Sequence, residues 1–435
     1  MTESGTDAVV GPPPDDAIAA ERAERAALAS SPELVSDSLG EYLRAIWARV
    51  RQGESGVLPV VIGLIAICVI FQAQNSLFLS SGNLTNLLVQ GAFFMLLGMG
   101  EVFVLLLGEI DLSLGFLSGL GGVIAAELVI EPRGWPWYAA VLLALAATTV
   151  AGVLQGLLIT ALRLPSFVVT LAGQLGFQGL MIVILGAGGT IPIPDETINN
   201  FANGDLSPIG GWVLLAVVWG LYAALTLRRD LQRRRNGLVT PPRSLTLLRI
   251  TLAGAAGVGL VAVCNSNRGA LVPVRGVPWV VLIVLGVLAV WTVLLTQTRF
   301  GRYVYAIGGN AEAARRAGVN LARIRVACFA LAGLTAGIAG LVYASRLRSV
   351  STSLNGGTLV LYAVAAAVIG GTSLFGGRGK ALHAVLGGIV IAAIYNGMGL
   401  LGMSAAAQYM VTALVLLAAV TVDALARRGR AVALR

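Results

Sequence analysis

Three carboxylates lie where charge is costly. Glu101 falls inside a long apolar run, and Glu109 and Asp111 follow within the short connection Gly108-Glu109-Ile110-Asp111. Acids at membrane depth are functional candidates by default. Asp111 also precedes Leu112-Ser113-Leu114, where it would cap the next helix and meet the favourable end of its dipole. Glu101 has no such role and must pair inside a bundle or line a wet cavity. The second chemical feature is a basic stretch from Phe300 to Ala327 with Arg302, Arg315, Arg316, Arg323 and Arg325. Within it, Asn310-Ala311-Glu312-Ala313-Ala314-Arg315-Arg316-Ala317-Gly318 has the grammar of a short helix. Asn310 is a good N-cap, Glu312 sits in the first turn, Arg315 and Arg316 sit in the last, and Gly318 is the stop. Such a helix suits docking to a soluble partner, but an ordinary basic loop that fixes topology reads the same way.

Other chemistries find no support. The chain has one lysine, Lys380, and no Gly-x4-Gly-Lys-Ser/Thr, so no nucleotide loop. His383 is the only histidine and is expected to pack at a helix end. No metal-ligand spacing, catalytic triad or cofactor motif occurs. Cys68, Cys264 and Cys328 are isolated in apolar runs and read as small hydrophobes.

The elements that carry these groups are membrane spans. Of 435 residues 57% are apolar and only 12% charged, and apolar runs of spanning length recur along the chain. The fold class is an all-α polytopic membrane protein. The continuous runs exclude a β-barrel. Twelve spans are expected near 57–73, 87–107, 112–130, 138–160, 166–186, 211–227, 246–264, 278–296, 326–344, 358–370, 381–400 and 405–424. The tenth is interrupted by glycines, which allow a broken or re-entrant helix. Residues 1–40 read as a disordered cytoplasmic tail, 41–426 as the transmembrane domain, and 427–435 as a basic cytoplasmic tail. The net charge of +9 belongs to membrane topology rather than to nucleic acid. With both termini inside, only Arg133, Arg268, Arg275, Arg346 and Arg348 of the 30 basic residues fall outside, as the positive-inside rule requires. An odd number of spans would put one arginine-rich terminus on the wrong side. A faint repeat relates 103–126 to 366–393. Each turns at glycine with a short polar group, and both turns are expected at the same end of the bundle.

Five segments, in order and at matching spacing, resemble one family: LLGEIDLSLG (106–115), RLPSFVVTLAG (163–173), GRYVYAIGGNAEAARRAGVN (301–320), AGLTAGIAGLV (332–342) and AAVIGGTSLFGGRG (366–379). They are similar to the permease subunits of bacterial sugar ABC importers of the ribose/xylose/galactose class, over about 85–425. Glu-Ile-Asp at 109–111 and the extra sixth and seventh spans resemble the xylose branch. Many relatives carry an acid near Tyr362, and this chain does not.

The resemblance implies a permease without catalytic residues, working in the bacterial inner membrane, with ATP-Mg bound by a separate cytoplasmic ATPase. It implies an extracytoplasmic sugar-binding protein and a second permease copy as further partners. Residues 310–318 would couple to the ATPase. Candidate residues along the sugar path are Gln90, Phe93, Phe94, Gln174, Gln178, Tyr395 and Asn396, for each of which interhelical packing is the plainer role. Glu101, Glu109, Asp111, Gly370 and Gly371 stand out as motif positions. The alternative is an ion-coupled secondary transporter, which would use the acids at 101, 109 and 111. An integral-membrane enzyme is the third possibility, and it lacks a catalytic cluster.

Overall fold

The computed structural model describes residues 57–238, 240–269, 273–415, 417, 418 and 421. The expected tails at 1–40 and 427–435 and the end of the twelfth span lie outside the described residues. The chain is helical nearly throughout. In order come α1 (Val57–Gln74), α2 (Ser81–Leu106), α3 (Leu114–Val129), α4 (Trp137–Ala161), α5 (Ser166–Leu185), β1 (Thr190–Pro192), α6 (Glu196–Asn203), α7 (Pro208–Arg235) and α8 (Arg243–Asn265). Then follow α9 (Trp279–Gln297), α10 (Arg299–Gly309), α11 (Ala311–Arg316), α12 (Leu321–Leu347), β2 (Ser349–Ser351), α13 (Gly356–Ile369) and α14 (Ala381–Leu400). A last described helix, α15, covers Ala405–Val415.

Eight of these helices are long and apolar enough to cross a bilayer: α2, α4, α5, α7, α8, α9, α12 and α14. Four more (α1, α3, α13 and α15) are apolar but shorter. At 1.5 Å per residue, the 14-residue α13 is about 21 Å long, less than the ~30 Å of a hydrocarbon core. The glycines after Ile369 do end the helix there, as the sequence suggested.

By contacts, Leu214–Gly259 belongs to one compact unit and the other described residues to a second. In the second unit α2 is the central element, buried almost continuously from Gln90 to Leu106. A helix apolar on all sides is stable only where it is surrounded. It is enclosed by α12, α13 and α14. Small residues let the helices approach: a Cβ at Gly152 or Gly333 would meet the carbonyl of Phe329 or Thr148, so α4 and α12 pack backbone to backbone.

Within this unit the connections gather at two opposite ends. At one end, β1 and β2 pair antiparallel with Ile191 opposite Val350. Beside them Ser345 Oγ accepts from the Ala202 N–H of α6 and donates to the Asn199 carbonyl, both at 2.9 Å. Arg268 pairs with Asp205 at 2.9 Å, joining the 265–277 connection to the 187–210 connection at this end. At the other end, 106–111, 299–325 and 371–380 meet, and the two turns of the faint repeat touch: Gly377 N–H donates to the Leu106 carbonyl at 2.9 Å.

In the first unit α7 and α8 run side by side. Leu215 lies against Gly257, Trp219 Nε1 donates to the Ile250 carbonyl at 2.9 Å, and Thr246 donates to Asp230 at 2.6 Å.

Candidate functional site

The basic stretch builds a two-helix ledge. Thr298 caps α10 by accepting from Gly301 N–H at 3.2 Å, and Val304 and Ile307 bury one face. Sequence reasoning missed α10. Its signal was present, as Phe300, Val304 and Ile307 repeat at i, i+4, i+7 behind a threonine cap. Asn310 then caps α11 as expected, accepting from Ala313 N–H at 3.0 Å. Glu312 binds Arg315 at 2.9 Å and Arg316 at 3.1 Å, and these guanidinium groups hold its carboxyl below the ordinary value. Ala314 is buried, whereas Arg315 and Arg316 are exposed. Past the C-cap, Ala317, the chain turns at Gly318 with φ +82°, and Val319 N–H donates to the Ala314 carbonyl at 3.0 Å. That is a left-handed stop for which glycine is the unstrained residue. Asn320 starts α12 at once, accepting from Arg323 N–H at 3.0 Å.

The ledge is fastened to the bundle by close backbone contact. A Cβ at Gly308 would occupy the place of the Leu106 carbonyl and crowd Gly377 N–H. Tyr305 donates to the Gly379 carbonyl at 2.7 Å. Arg325, at the start of α12, pairs with Glu109. The end of α2, the 371–380 turn and α10 are thereby joined directly. Gly370 and Gly371 serve packing here: a Cβ on Gly370 would strike the His383 carbonyl, and Gly371 lies beside the His383 ring.

Behind Glu109 the two other acids are fully buried. Glu101 Oε1 accepts from Asp111 N–H at 3.2 Å. Asp111 does not cap α3, as the sequence suggested. The capping position is Ser113, and Asp111 Oδ1 accepts both its N–H at 2.9 Å and its hydroxyl at 2.6 Å. The cause is geometric: 109–111 leaves the helix and is tied back to α2 by Glu109 N–H on the Val104 carbonyl and Asp111 N–H on Glu101, and 112–113 turns before α3 begins, so the acid faces inward. Gln155 completes the chain by donating to Ser113 Oγ at 2.9 Å. Non-helical backbone at this depth is tolerated because protein encloses it.

Of the expected path residues, five come together and two do not. Phe93 and Phe94 touch edge to face at 5.6 Å, and Phe94 lies 5.9 Å from Tyr395. Tyr343 and Tyr362, not foreseen, complete this aromatic group, at 4.7 Å from Phe93 and 5.3 Å from Phe94. Above it, Gln90, Asn396 and Tyr395 line a cleft of about 250 Å³ with Asn83, Asn86 and Gln408. Asn83 and Asn396 exchange amide hydrogen bonds of 2.8 and 3.0 Å, Arg346 donates to Asn86 at 3.3 Å, and Gln90 Oε1 is buried without a partner. Tyr343 also borders a second cavity of about 230 Å³, lined by Ser118, Ser349, Ser351 and Ser353. Gln174 and Gln178 stand apart on α5, half-buried, with Gln174 beside Gly357. Neutral amides, hydroxyls and aromatic faces suit a polyhydroxylated, uncharged solute. Among the described residues no group of three or more His, Cys, Asp or Glu is placed to hold a metal.

The chain is 35% identical over 373 residues to the xylose transport system permease protein of Escherichia coli (strain K12), covering 86% of this chain and 92% of that protein. It is 37% identical over 377 residues to the xylose transport system permease protein of Haemophilus influenzae, covering 84% and 96%. The ribose import permease protein of Escherichia coli (strain K12) is 31% identical over 364 residues, covering 83% and 92%. No solved structure matches. Residues 83–420 match the family described as the branched-chain amino acid transport system / permease component, and the chain belongs to that family of membrane permeases.

Proposed function

We propose that this chain is the transmembrane subunit of an ATP-driven sugar importer, with a pentose such as xylose as its substrate. The observation that carries the reading is similarity to xylose permeases along more than four fifths of the chain. The reading includes twelve spans with both termini cytoplasmic, residence in the bacterial inner membrane, and a homodimer enclosing the pathway. A separate ATPase supplies hydrolysis, and an extracytoplasmic binding protein supplies sugar.

Residues 310–318 are the coupling segment. A short capped helix standing on a ledge fixed to α2 transmits displacement without bending, which a two-state gate requires. Its exposed arginines offer charge to the partner, although each exposed pair is worth only ~0–1 kcal/mol. The sugar passes by the Phe93–Phe94–Tyr343–Tyr362–Tyr395 group, with Gln90 and Asn396 above it. Binding there is weak, because a pathway must release what it admits.

The deciding experiment substitutes Ala314→Trp with Gly318→Pro and follows both ATPase co-purification and sugar uptake. Loss of both, in a chain that still inserts, supports coupling through α11. Retention of both reduces the stretch to a topology anchor. The ion-coupled alternative has the buried Glu101–Asp111 pair in its favour. Uptake that persists after deletion of the ATPase would decide for it.

A further inference from the structure

The hairpin of α7 and α8 carries chemistry that the transport reading does not use. α7 has 28 residues, about 42 Å at 1.5 Å per residue, whereas about 20 residues cross a hydrocarbon core. Residues 208–227 are apolar, and the surplus is Arg228-Arg229-Asp230-Leu231-Gln232-Arg233-Arg234-Arg235. The helix does not stop at the membrane surface but continues for two turns as a basic rod.

Three observations describe that rod. First, Asp230 is the only acid between Arg228 and Arg243, and it is turned toward α8, where it accepts from Thr246 at 2.6 Å. Among the described residues Arg228, Arg229, Arg233, Arg234 and Arg235 have no ion pair. Successive residues differ by about 100°, so these five guanidinium groups ring the helix rather than mark one face. Second, leucines are set among them and left uncovered: Leu231 is 61% exposed, Leu238 57% and Leu247 58%. A wholly aqueous rod would hold these side chains in water. Third, among the eight long apolar helices those of the hairpin are the least enclosed, with 6% of the apolar window of α7 buried and 17% of that of α8. Helices bare on most sides within the hydrocarbon layer have lipid as their neighbour, and they emerge among headgroups.

We infer that the arginine-ringed end of the α7–α8 hairpin binds the headgroups of anionic phospholipids. The guanidinium groups take phosphate oxygens, singly or by a two-pronged contact. Leu231, Leu238 and Leu247 enter the boundary between headgroups and acyl chains. Arginine at this depth does more than orient a span. It holds a local shell of acidic lipid, which clusters of four to eight basic residues beside a span recruit. The inference does not rest on the substrate or on the coupling segment.

The test uses the full-length chain in neutral detergent, equilibrated with mixed micelles of phosphatidylglycerol and phosphatidylcholine in equal amounts. Bound lipid is extracted and quantified at low and high salt. The wild type is expected to retain phosphatidylglycerol over phosphatidylcholine, with the preference fading as salt rises. R233Q/R234Q/R235Q is expected to cut that preference at least about tenfold, and R233K/R234K/R235K to keep most of it. Equal retention of the two lipids by the wild type at low salt overturns the inference without any variant. Preference unchanged in the glutamine variant overturns it as well. If that variant keeps its lipid and loses a co-purifying ATPase, the rod is a protein-docking surface instead.

Discussion

Asp111 is fully buried, and among the described residues its hydrogen-bond donors are the N–H and hydroxyl of Ser113. Asp111→Ala removes the acceptor of the Ser113 N–H and should cost about 1–3 kcal/mol, whereas Asp111→Asn keeps an acceptor and should cost less. Thermal unfolding of the two detergent-solubilised variants checks the order, and an Asp111→Ala chain as stable as wild type would show that the contact carries no stability. Local grammar made other single residues legible. Asn310 and Gly318 were readable as helix ends because each acts on backbone within four positions. Asn310→Ala should cost about 1 kcal/mol of local helix stability. Under the proposed function it should lower sugar-stimulated ATP hydrolysis severalfold, with insertion unchanged. The inward turn of Asp111 was not legible, because the path of 109–113 is set by its bonds to α2 and not by its own residues.

At the scale of elements, α10 joins the coupling segment to the bundle, and its attachment is made of backbone. Gly308 faces the Leu106 carbonyl and Gly377 N–H with no room for a side chain. Gly308→Val should push α10 off the end of α2 and break the hydrogen bond between Gly377 and Leu106. The expected cost is about 2–3 kcal/mol, from overpacking and the lost bond. Tyr305→Phe removes only the 2.7 Å bond to the Gly379 carbonyl and should cost about 1 kcal/mol. Thermal unfolding of the two variants checks the order, and a Gly308→Val chain as stable as wild type would show that the contact is slack. The same scale explains why five of the seven expected path residues lie together and two do not. Gln90, Phe93 and Phe94 share one face of α2, so their grouping follows from helical spacing. Tyr343 and Tyr362 come from α12 and α13, and Asn83 meets Asn396 across 313 residues of sequence. Such pairings depend on which helices become neighbours, and no local pattern carries that. Gln174 and Gln178 were chosen for polarity alone, and α5 turns them elsewhere.

For the whole molecule, the arginines and the contacts address different halves of one question. Contacts sort connections by end: 187–210 and 345–357 meet through β1, β2 and α6, while 106–111, 299–325 and 371–380 meet at the opposite end. They do so without reference to any membrane. Charge then tells the two ends apart, because Arg302, Arg315, Arg316, Arg323 and Arg325 crowd one of them. Helix lengths alone give eight spans, since α1, α3, α13 and α15 are shorter. Of these four, α3 and α13 are buried inside the bundle, where protein can enclose the non-helical backbone that a crossing would need. A twelve-span path therefore requires that single cysteines at Arg316 and Lys380 react with an impermeant maleimide only after the membrane is opened. Cysteines at Asn203 and Ser353 should react in intact cells. All four positions are exposed, so accessibility is set by side and not by burial. Labelling of 316 and 353 from the same side would mean that α12 does not cross, and the count would have to be rebuilt from the eight long helices.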